Sequence, residues 1–174
     1  MIKMEVGIDD MQAKVFQEAL NELARRGEDM TPLMTAVGGN LVDSTQERFE
    51  RTSTAPDGTP WKPRYVPEGA TPSDKRILVK DAHLSGSIDY EASQNSVSVG
   101  TNVFYAAVHQ FGMTIKAKPG STMRFNVGGQ WLFAKSVTIP ARPFIGISED
   151  DGEMILGEAT DWLAGAFHGA GGAP

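Results

Sequence analysis

The sequence predicts an α+β fold, with a mixed or mostly antiparallel sheet of about four to six strands packed by N-terminal helices and one C-terminal helix. Three observations support this. Apolar residues recur at helical spacing between residues 10 and 51. Short segments of alternating polar and apolar residues, bounded by turn residues, follow between residues 86 and 139. The last segment returns to helical spacing and begins with acids.

The first helix is predicted to begin at Asp9 or Asp10, either of which can cap it, and to end at Gly27. Arg25 and Arg26 suit the negative end of the helix dipole. The apolar face contains four residues at helical spacing: Phe16, Leu20, Leu23 and Ala24.

A second helix is predicted from Thr31, an N-cap followed by a proline at the first helical position, to about Arg51. Gly38 and Gly39 lie inside it, although each glycine costs a helix about 1 kcal/mol relative to alanine. The pair therefore indicates a kink or the close approach of another backbone.

Residues 52–75, here termed the proline-rich arm, contain five of the ten prolines. Because proline fixes φ and removes a donor, neither a helix nor a central strand is expected there. Trp61 and Tyr65 indicate that the arm packs against something, since large aromatic side chains gain most when buried. Two alternatives remain open: the arm folds back on its own domain, or it packs on a neighbouring subunit.

The β portion opens with a short apolar run at 77–80 and continues with alternating strands at 86–93 and 95–100, joined by a turn at Gln94-Asn95. A helix of two to three turns is predicted from a Thr101 or Asn102 cap to Gly112. Residues 113–138 are predicted to contain a strand, a loop at Pro119-Gly120 and two strands flanking Gly128-Gly129.

The terminal helix is predicted to begin at Ser148, with acids in its first turn. Its apolar face contains Met154, Ile155, Ala159, Trp162, Leu163 and Phe167. Residues 1–168 are interpreted as a single domain and residues 169–174 as a flexible tail.

The amino-acid composition of the chain argues against several classes of function. No apolar run of the 174-residue chain reaches the roughly 20 residues that a membrane span needs. Zero cysteines exclude disulfides and thiolate metal sites. With 16 basic against 22 acidic residues, the chain has a net charge of −6, which argues against sequence-specific nucleic-acid binding.

No residue pattern indicates catalysis. The three histidines lack the spacing of a helix-borne zinc site, and no nucleophile elbow or phosphate-binding glycine loop occurs. His109 lies in the apolar segment 104–112 without a neighbouring acid in sequence, so we interpret it as a hydrogen-bonded structural residue. We expect no catalytic residue, no metal and no cofactor.

Four segments carry a family resemblance. They are "PDGTPWKP" (56–63), "ILVKDAHLSGSIDY" (77–90), "VGTNVFYAAVHQFG" (99–112) and "IPARPFIGIS" (139–148). Together, and in this order, they resemble the phage virion morphogenesis family, which includes head-tail morphogenesis and tail-completion proteins. Two departures occur: "DAHLSGSI" replaces a threonine-glycine turn, and residues 113–138, here termed the hairpin insertion, separate the last two motifs.

The resemblance implies a non-enzymatic virion protein of the tail-neck region, assembled in the bacterial cytoplasm. It would complete the tail at its head-proximal end or join tail to head, contacting the tail tube and neck or connector proteins. Relatives of this class form rings, commonly hexamers, and an acidic lumen would let DNA pass through without binding. We expect no membrane partner.

Candidate structural or subunit-interface residues are Trp61, Tyr65, Tyr105, His109, Phe111, Arg142 and Phe144. Phe144 can anchor in a pocket, and Arg142 can offer a planar set of donors to a partner. For Arg142 we favour the alternative of an intrachain brace onto the 104–112 helix near Gln110. Two other functions compete with a ring-forming joining protein: a capsid or neck assembly adaptor that acts as a monomer, and a small phage hydrolase.

Overall fold

The computed structural model describes residues 10–66, 68, 76–79, 82–127 and 129–170. Within these residues it contains four α-helices and six β-strands, with helices at the N-terminal end and one at the C-terminal end. The predicted α+β class is therefore confirmed. The six strands are distributed over three two-stranded sheets.

The first two helices are α1 (Asp10–Glu28) and α2 (Thr31–Glu47), and α2 continues as a π-helical turn, Arg48–Thr52. The prediction that Gly27 ends α1 is wrong, because the helix continues through it to Glu28. The carboxylate of Asp29 then accepts the N–H of Thr31 at 2.9 Å, so Asp29 caps α2 in place of the predicted Thr31. Asp9 lies outside the described residues.

The chain forms two compact units. The helical unit comprises the described residues within 1–38, 91–98 and 152–174, and the mixed unit comprises those within 39–90 and 99–151. The boundary falls at Gly38-Gly39, where α2 continues without a break. An added Cβ at Gly39 would meet no described atom within 4 Å, so the predicted close approach does not occur at that residue.

The helical unit has a thin core. Ala19 of α1 is buried, whereas Phe16 is 58% and Leu20 is 40% exposed, so most of the predicted apolar face of α1 is uncovered. Arg26 forms an ion pair with Glu22 and stacks on the ring of Trp162, with its guanidinium carbon 4.9 Å from the ring centroid.

Regular β structure begins at β1 (Ile88–Ala92), which pairs with β2 (Val97–Thr101) across a four-residue connection. The alternation predicts both strands and the intervening turn, but residues 86–87 of the predicted first strand belong to a 3-10 turn, Ser85–Ser87. The run at 77–79 forms a turn instead of a strand, since Leu78 has a positive φ of 62°. Lys80 lies outside the described residues.

Helix α3 (Ala106–Phe111) is shorter than predicted. The prediction that it begins at Thr101 or Asn102 is wrong because Thr101 is the last residue of β2, and its hydroxyl accepts the N–H of Val103 at 3.2 Å. The chain then turns at Val103–Tyr105, with Ala106 N–H bonded to Val103 O at 3.0 Å. Only the last part of the predicted helix therefore forms.

The hairpin insertion forms a long antiparallel ribbon. Its outer arms are β3 (Met113–Lys116) and β6 (Ser136–Ile139), and its distal end is formed by β4 (Met123–Val127) and β5 (Gln130–Ala134). Met113 pairs with Ile139 at the base, and Val127 pairs with Gln130 beside the tip. The three predicted strands are present, and Gly129 lies in the turn between the last two of them, whereas β6 was not predicted.

The terminal helix, α4 (Glu149–Ala170), begins where predicted. Ser148 and Asp151 form a reciprocal cap: Ser148 N–H donates to the Asp151 carboxylate at 2.8 Å, and Asp151 N–H donates to the Ser148 hydroxyl at 3.2 Å. This exchange satisfies donors that a helix start otherwise leaves unpaired. Residues 171–174 of the predicted tail lie outside the described residues.

Candidate functional site

Trp61 of the proline-rich arm is buried in the aromatic core of the mixed unit. Its ring centroid lies 5.4 Å from that of Phe49, and Phe49 lies 5.1 Å from Phe144. The indole N–H of Trp61 donates to Pro143 O at 2.7 Å. Phe49 and Phe144 are both fully buried, and Trp61 is 5% exposed. The first half of the proline-rich arm therefore packs on its own unit.

Tyr65 of the same arm is 69% exposed. It borders a groove of about 620 Å³ whose other wall is formed by the ribbon, including Phe125, Leu132 and Ile139. Residues 67 and 69–75 of the arm lie outside the described residues. A contact of this second half with a neighbouring subunit stays a prediction.

Gln110 of α3 holds the segment that contains the motif "IPARPF". Its side-chain oxygen accepts the N–H groups of Phe144 and Ile145 at 3.0 and 3.1 Å, and its side-chain nitrogen donates to Ile145 O at 2.9 Å. This one side chain thus makes hydrogen bonds with three backbone groups, as a neighbouring strand would. The last two of the four family motifs, 99–112 and 139–148, are therefore held together by direct hydrogen bonds.

Arg142 is 6% exposed, and its contacts are intrachain. Its Nε donates to Lys62 O at 2.7 Å and its Nη2 donates to Pro63 O at 2.8 Å. Its backbone N–H donates to His109 O at 2.7 Å. The guanidinium thus holds the proline-rich arm and not the 104–112 helix that the brace alternative predicted, and only the backbone of Arg142 bonds to that helix.

The end of α3 approaches the same segment closely. Gly112 has φ +73°, and a Cβ added there would lie 2.7 Å from Ala141 N and 3.1 Å from Ile139 O. Glycine is required at such a position for both conformation and space. The hairpin insertion consequently begins and ends at neighbouring points of the mixed unit.

Sequence reasoning missed a buried ion pair. Arg48 and Asp151 are 6% and 4% exposed, and Nη2 of Arg48 lies 2.5 Å from the Asp151 carboxylate. Arg48 Nη1 also donates to Phe144 O at 3.0 Å and to Gly146 O at 3.1 Å. Burial alone would raise the pKa of Asp151, but hydrogen bonds from Ser44 and Ser148 and the charge of Arg48 lower it.

His109 borders a pocket of about 600 Å³ lined also by Arg64, His83, Tyr105 and Arg142. Its Nδ1 is buried and makes no hydrogen bond with the described residues, so the prediction that the imidazole is hydrogen-bonded is wrong for this atom. Burial and the nearby charge of Arg142 lower the pKa of His109, so the neutral imidazole is favoured. No carboxylate lines this pocket in the described part of the chain, and a general base lacks the acidic group that usually orients it.

The two remaining predicted residues lie at the edge of this region. Tyr105 is half-buried, with its ring centroid 6.0 Å from that of His109 and 5.3 Å from that of Phe104. Phe111, at the end of α3, is 77% exposed, and Phe104 is 91% exposed. The structure thus separates the predicted set into a buried group (Trp61, Arg142 and Phe144), two half-buried residues (Tyr105 and His109) and two exposed ones (Tyr65 and Phe111).

The ribbon exposes large apolar side chains. Trp131 and Phe133 of β5 are 58% and 66% exposed, and Met113 and Ile115 of β3 are 49% and 40% exposed. Every residue of β3 is exposed, and each strand of the ribbon has a single strand neighbour among the described residues. An isolated two-stranded ribbon is only marginally stable in water. This surface is therefore suited to contact with another protein.

The described residues offer neither a metal site nor a membrane span. They contain no cluster of three or more histidine, aspartate or glutamate side chains that could hold a metal ion. No helix among them has the length and apolar character required to cross a bilayer.

Comparison with known proteins identifies clear relatives. The sequence profile described as "Phage virion morphogenesis family" matches residues 11–164. "Mu-like prophage FluMu G protein 2" of Haemophilus influenzae is 32% identical over 164 residues, covering 94% of this chain and 96% of the relative. "Putative capsid assembly protein G" of Escherichia phage Mu is 25% identical over 162 residues, covering 89% and 90%. No solved structure matches.

Proposed function

The chain belongs to the phage virion morphogenesis family, and on that premise we propose that it is a non-enzymatic virion protein that completes the tail or joins it to the head. It acts at the head-proximal end of the tail, in the tail-neck region, after assembly in the bacterial cytoplasm. Its partners are the tail tube and the neck or connector proteins. It works as a ring of copies, with six as the expected number.

The exposure of large apolar side chains on the ribbon carries this proposal. Trp131, Phe133, Met113 and Ile115 project from a two-stranded element that the described residues leave uncovered. Several large apolar side chains exposed on one element are typical of an interaction surface. A protein that joins two virion parts needs such surface, whereas an enzyme needs a cleft with converging polar groups.

The contacts of the buried predicted residues agree with a structural role. Arg142, Trp61 and Gln110 make hydrogen bonds to backbone carbonyl or N–H groups of the mixed unit. They fix one chain segment against another, and the polar groups that make these bonds are occupied in doing so.

Removal of the gene from a producing phage tests the proposal. We expect DNA-filled heads and unattached tails to accumulate separately, as counted by electron microscopy of the lysate. Purified protein added to that lysate is expected to restore infectious particles. An absence of filled heads would contradict the proposal and would place the protein in capsid assembly instead.

Two variants make the complementation test specific. The double variant Trp131→Ser with Phe133→Ser is expected not to restore infectious particles, because both exposed aromatic side chains are removed from the ribbon. Phe104→Ser is the matched control, since it removes a more exposed aromatic residue outside the ribbon. Equal loss in both variants would show that the ribbon has no special role.

Two measurements separate the competing functions. Light scattering across concentration, with and without isolated tails, distinguishes a ring from an adaptor that stays monomeric in both conditions. The His109→Ala variant is expected to join heads and tails normally. Intact joining together with loss of a hydrolytic activity in that variant would instead identify a phage hydrolase.

A further inference from the structure

Charge is distributed very unevenly along the chain. No aspartate or glutamate occurs between Glu91 and Glu149, although the whole chain has a net charge of −6. This interval contains the entire ribbon, whose four charged residues are all basic and exposed: Lys116, Lys118, Arg124 and Lys135. The ribbon is therefore a cationic surface on an acidic protein.

One basic and two aromatic side chains of the ribbon share a face at its distal end. In the β4–β5 ladder Arg124 pairs with Phe133 and Asn126 pairs with Trp131, so these four side chains lie on the same side. The guanidinium carbon of Arg124 lies 4.6 Å from the Trp131 ring centroid. We term this the ribbon face.

Helix α4 has the complementary composition. It contains six acids and no lysine or arginine. One stripe of the helix, at spacings of four and three residues, is exposed along its whole length: Glu149, Glu153, Leu156, Thr160, Leu163 and Phe167. The stripe is acidic at its N-terminal end and apolar beyond it, with Leu156 69%, Leu163 51% and Phe167 49% exposed.

We propose that the ribbon face of one copy docks on the exposed α4 stripe of a second copy. Its aromatic residues, Trp131 and Phe133, cover the apolar part of the stripe, and its basic residue, Arg124, lies against Glu149 and Glu153. Opposite charges and matched apolar surface favour this partner over an unrelated one. Each copy carries one ribbon face and one α4 stripe, so the contact is head-to-tail and can close into a ring.

A second copy fits the charges better than nucleic acid does. Four basic residues on the ribbon would give weak phosphate binding, and the acidic stripe and net charge of −6 would oppose it. The surface that complements the ribbon face is present in the same sequence. This inference rests on the proposed ring and adds the two surfaces that form it.

Charge reversal provides the first test. Arg124→Glu reverses the charge of the ribbon face, and Lys135→Glu in the same protein reverses a second basic residue of the ribbon. Glu149→Lys with Glu153→Lys reverses the acidic end of the stripe. All four side chains are exposed. Each reversed protein alone is expected to associate with itself at least about tenfold more weakly than the original chain. An equimolar mixture of the two is expected to regain association, since both contacts in an alternating assembly are then complementary.

Lys14→Glu with Arg51→Glu is the matched control. It changes the net charge as much as the ribbon reversal does, at sites whose side chains are 78% and 77% exposed and lie outside both surfaces. Circular dichroism and thermal unfolding verify that each variant is folded. Native mass spectrometry and light scattering measure association.

Cross-linking provides the second test, because the chain has no cysteine. Phe133→Cys and Leu163→Cys proteins with tags of different size are mixed and treated with a short bismaleimide, both after purification and in cells that produce particles. A heterodimer is expected, and it cannot arise within one chain. Phe16→Cys replaces Leu163→Cys in the control, as an exposed site on another helix.

The outcomes distinguish this contact from the ring itself. Heterodimers in either setting, or association restored only in the mixture, support the contact. A ring that persists in both reversed proteins overturns the contact and leaves the proposed ring standing. A chain that is monomeric in solution and gives no cross-link in producing cells overturns both. Loss of duplex DNA binding on ribbon reversal, measured by fluorescence anisotropy with self-association unchanged, would reassign the ribbon to nucleic acid and also overturn the contact.

Discussion

Replacement of Asp151 by alanine is expected to destabilise the mixed unit strongly. The carboxylate of Asp151 is the charged partner of Arg48, and both residues are almost completely buried, at 4% and 6% exposed. Without this carboxylate, the guanidinium of Arg48 stays buried and its positive charge has no partner of opposite charge. The same change removes the acceptor for Ser148 N–H at the start of α4.

The magnitude follows from these contacts. Removing one partner of a buried ion pair costs about 3–5 kcal/mol of unfolding free energy. Arg48 would keep two backbone carbonyls and the hydroxyls of Ser44 and Thr45 as acceptors, which favours the lower part of that range. Adding about 1 kcal/mol for the lost cap gives a total of about 4 kcal/mol. In a chain of this size, that lowers the Tm by about 8–16 °C.

Urea unfolding followed by circular dichroism measures this loss, with Tm as a second readout. Asp150→Ala is the matched control, because Asp150 is exposed in the same helical turn and contributes only about 0.3–1 kcal/mol through the helix dipole. Asp151→Asn is expected to lie between the two, since it keeps one acceptor and loses the charge. If Asp151→Ala unfolds within about 1 kcal/mol of Asp150→Ala, the ion pair does not stabilise the fold as argued.

Three further predictions follow from the same unit. Trp61→Ala is expected to lower the free energy of unfolding by about 3–5 kcal/mol, because it removes one ring of the aromatic core and leaves a cavity. Tyr65→Ala changes an exposed position and is expected to cost under about 0.5 kcal/mol. Equal losses in urea unfolding would contradict the packing described. Because burial lowers the pKa of His109 in the folded state from an ordinary 6.5, the unfolded chain binds more protons, and stability is expected to fall as pH drops from 7 towards 5. His109→Gln is expected to flatten that part of the pH profile, and an unchanged slope would refute the assignment. Gly112→Ala is expected to lower the free energy of unfolding by about 3 kcal/mol, since the added Cβ would overlap Ala141 N. Gly58→Ala is the control and is expected to cost about 1 kcal/mol, because Gly58 has a similar φ and no described atom nearby. Similar Tm values for the two variants would show that the overlap relaxes.

The sequence predicts best where the decisive contacts are local. Alternation at Ile88 and Tyr90 gave β1 correctly, since one face of a strand is a short-range pattern. Acids after Ser148 gave the start of α4, because capping depends on residues within one helical turn. The glycine pair at 128–129 gave the ribbon tip for the same reason.

Errors arise where a distant or competing contact decides. Arg48 resembles any exposed helical arginine, and its burial depends on Asp151, which lies 103 residues away in sequence. Thr101 has the chemistry of a helix cap, but its pairing in β2 takes precedence over that role. Helical spacing identified an apolar face on α1, yet it cannot specify what covers that face, and Phe16 remains exposed.

Among the candidate residues, sequence reasoning identified the segments and could not assign their contacts. Trp61 and Phe144 were selected separately for their size, and they meet through Phe49 in the folded core. Gln110 was noted only as a neighbour of Arg142, although it makes three hydrogen bonds to the 144–145 backbone. Single-chain patterns give residue types, whereas pairing between segments depends on the tertiary fold.

The close approach of Gly112 to Ala141 has an evolutionary consequence. A segment that leaves and re-enters a domain at one place can be lengthened, shortened or exchanged as a cassette while the aromatic core stays intact. A single recombination event can therefore exchange the whole ribbon without altering the aromatic core.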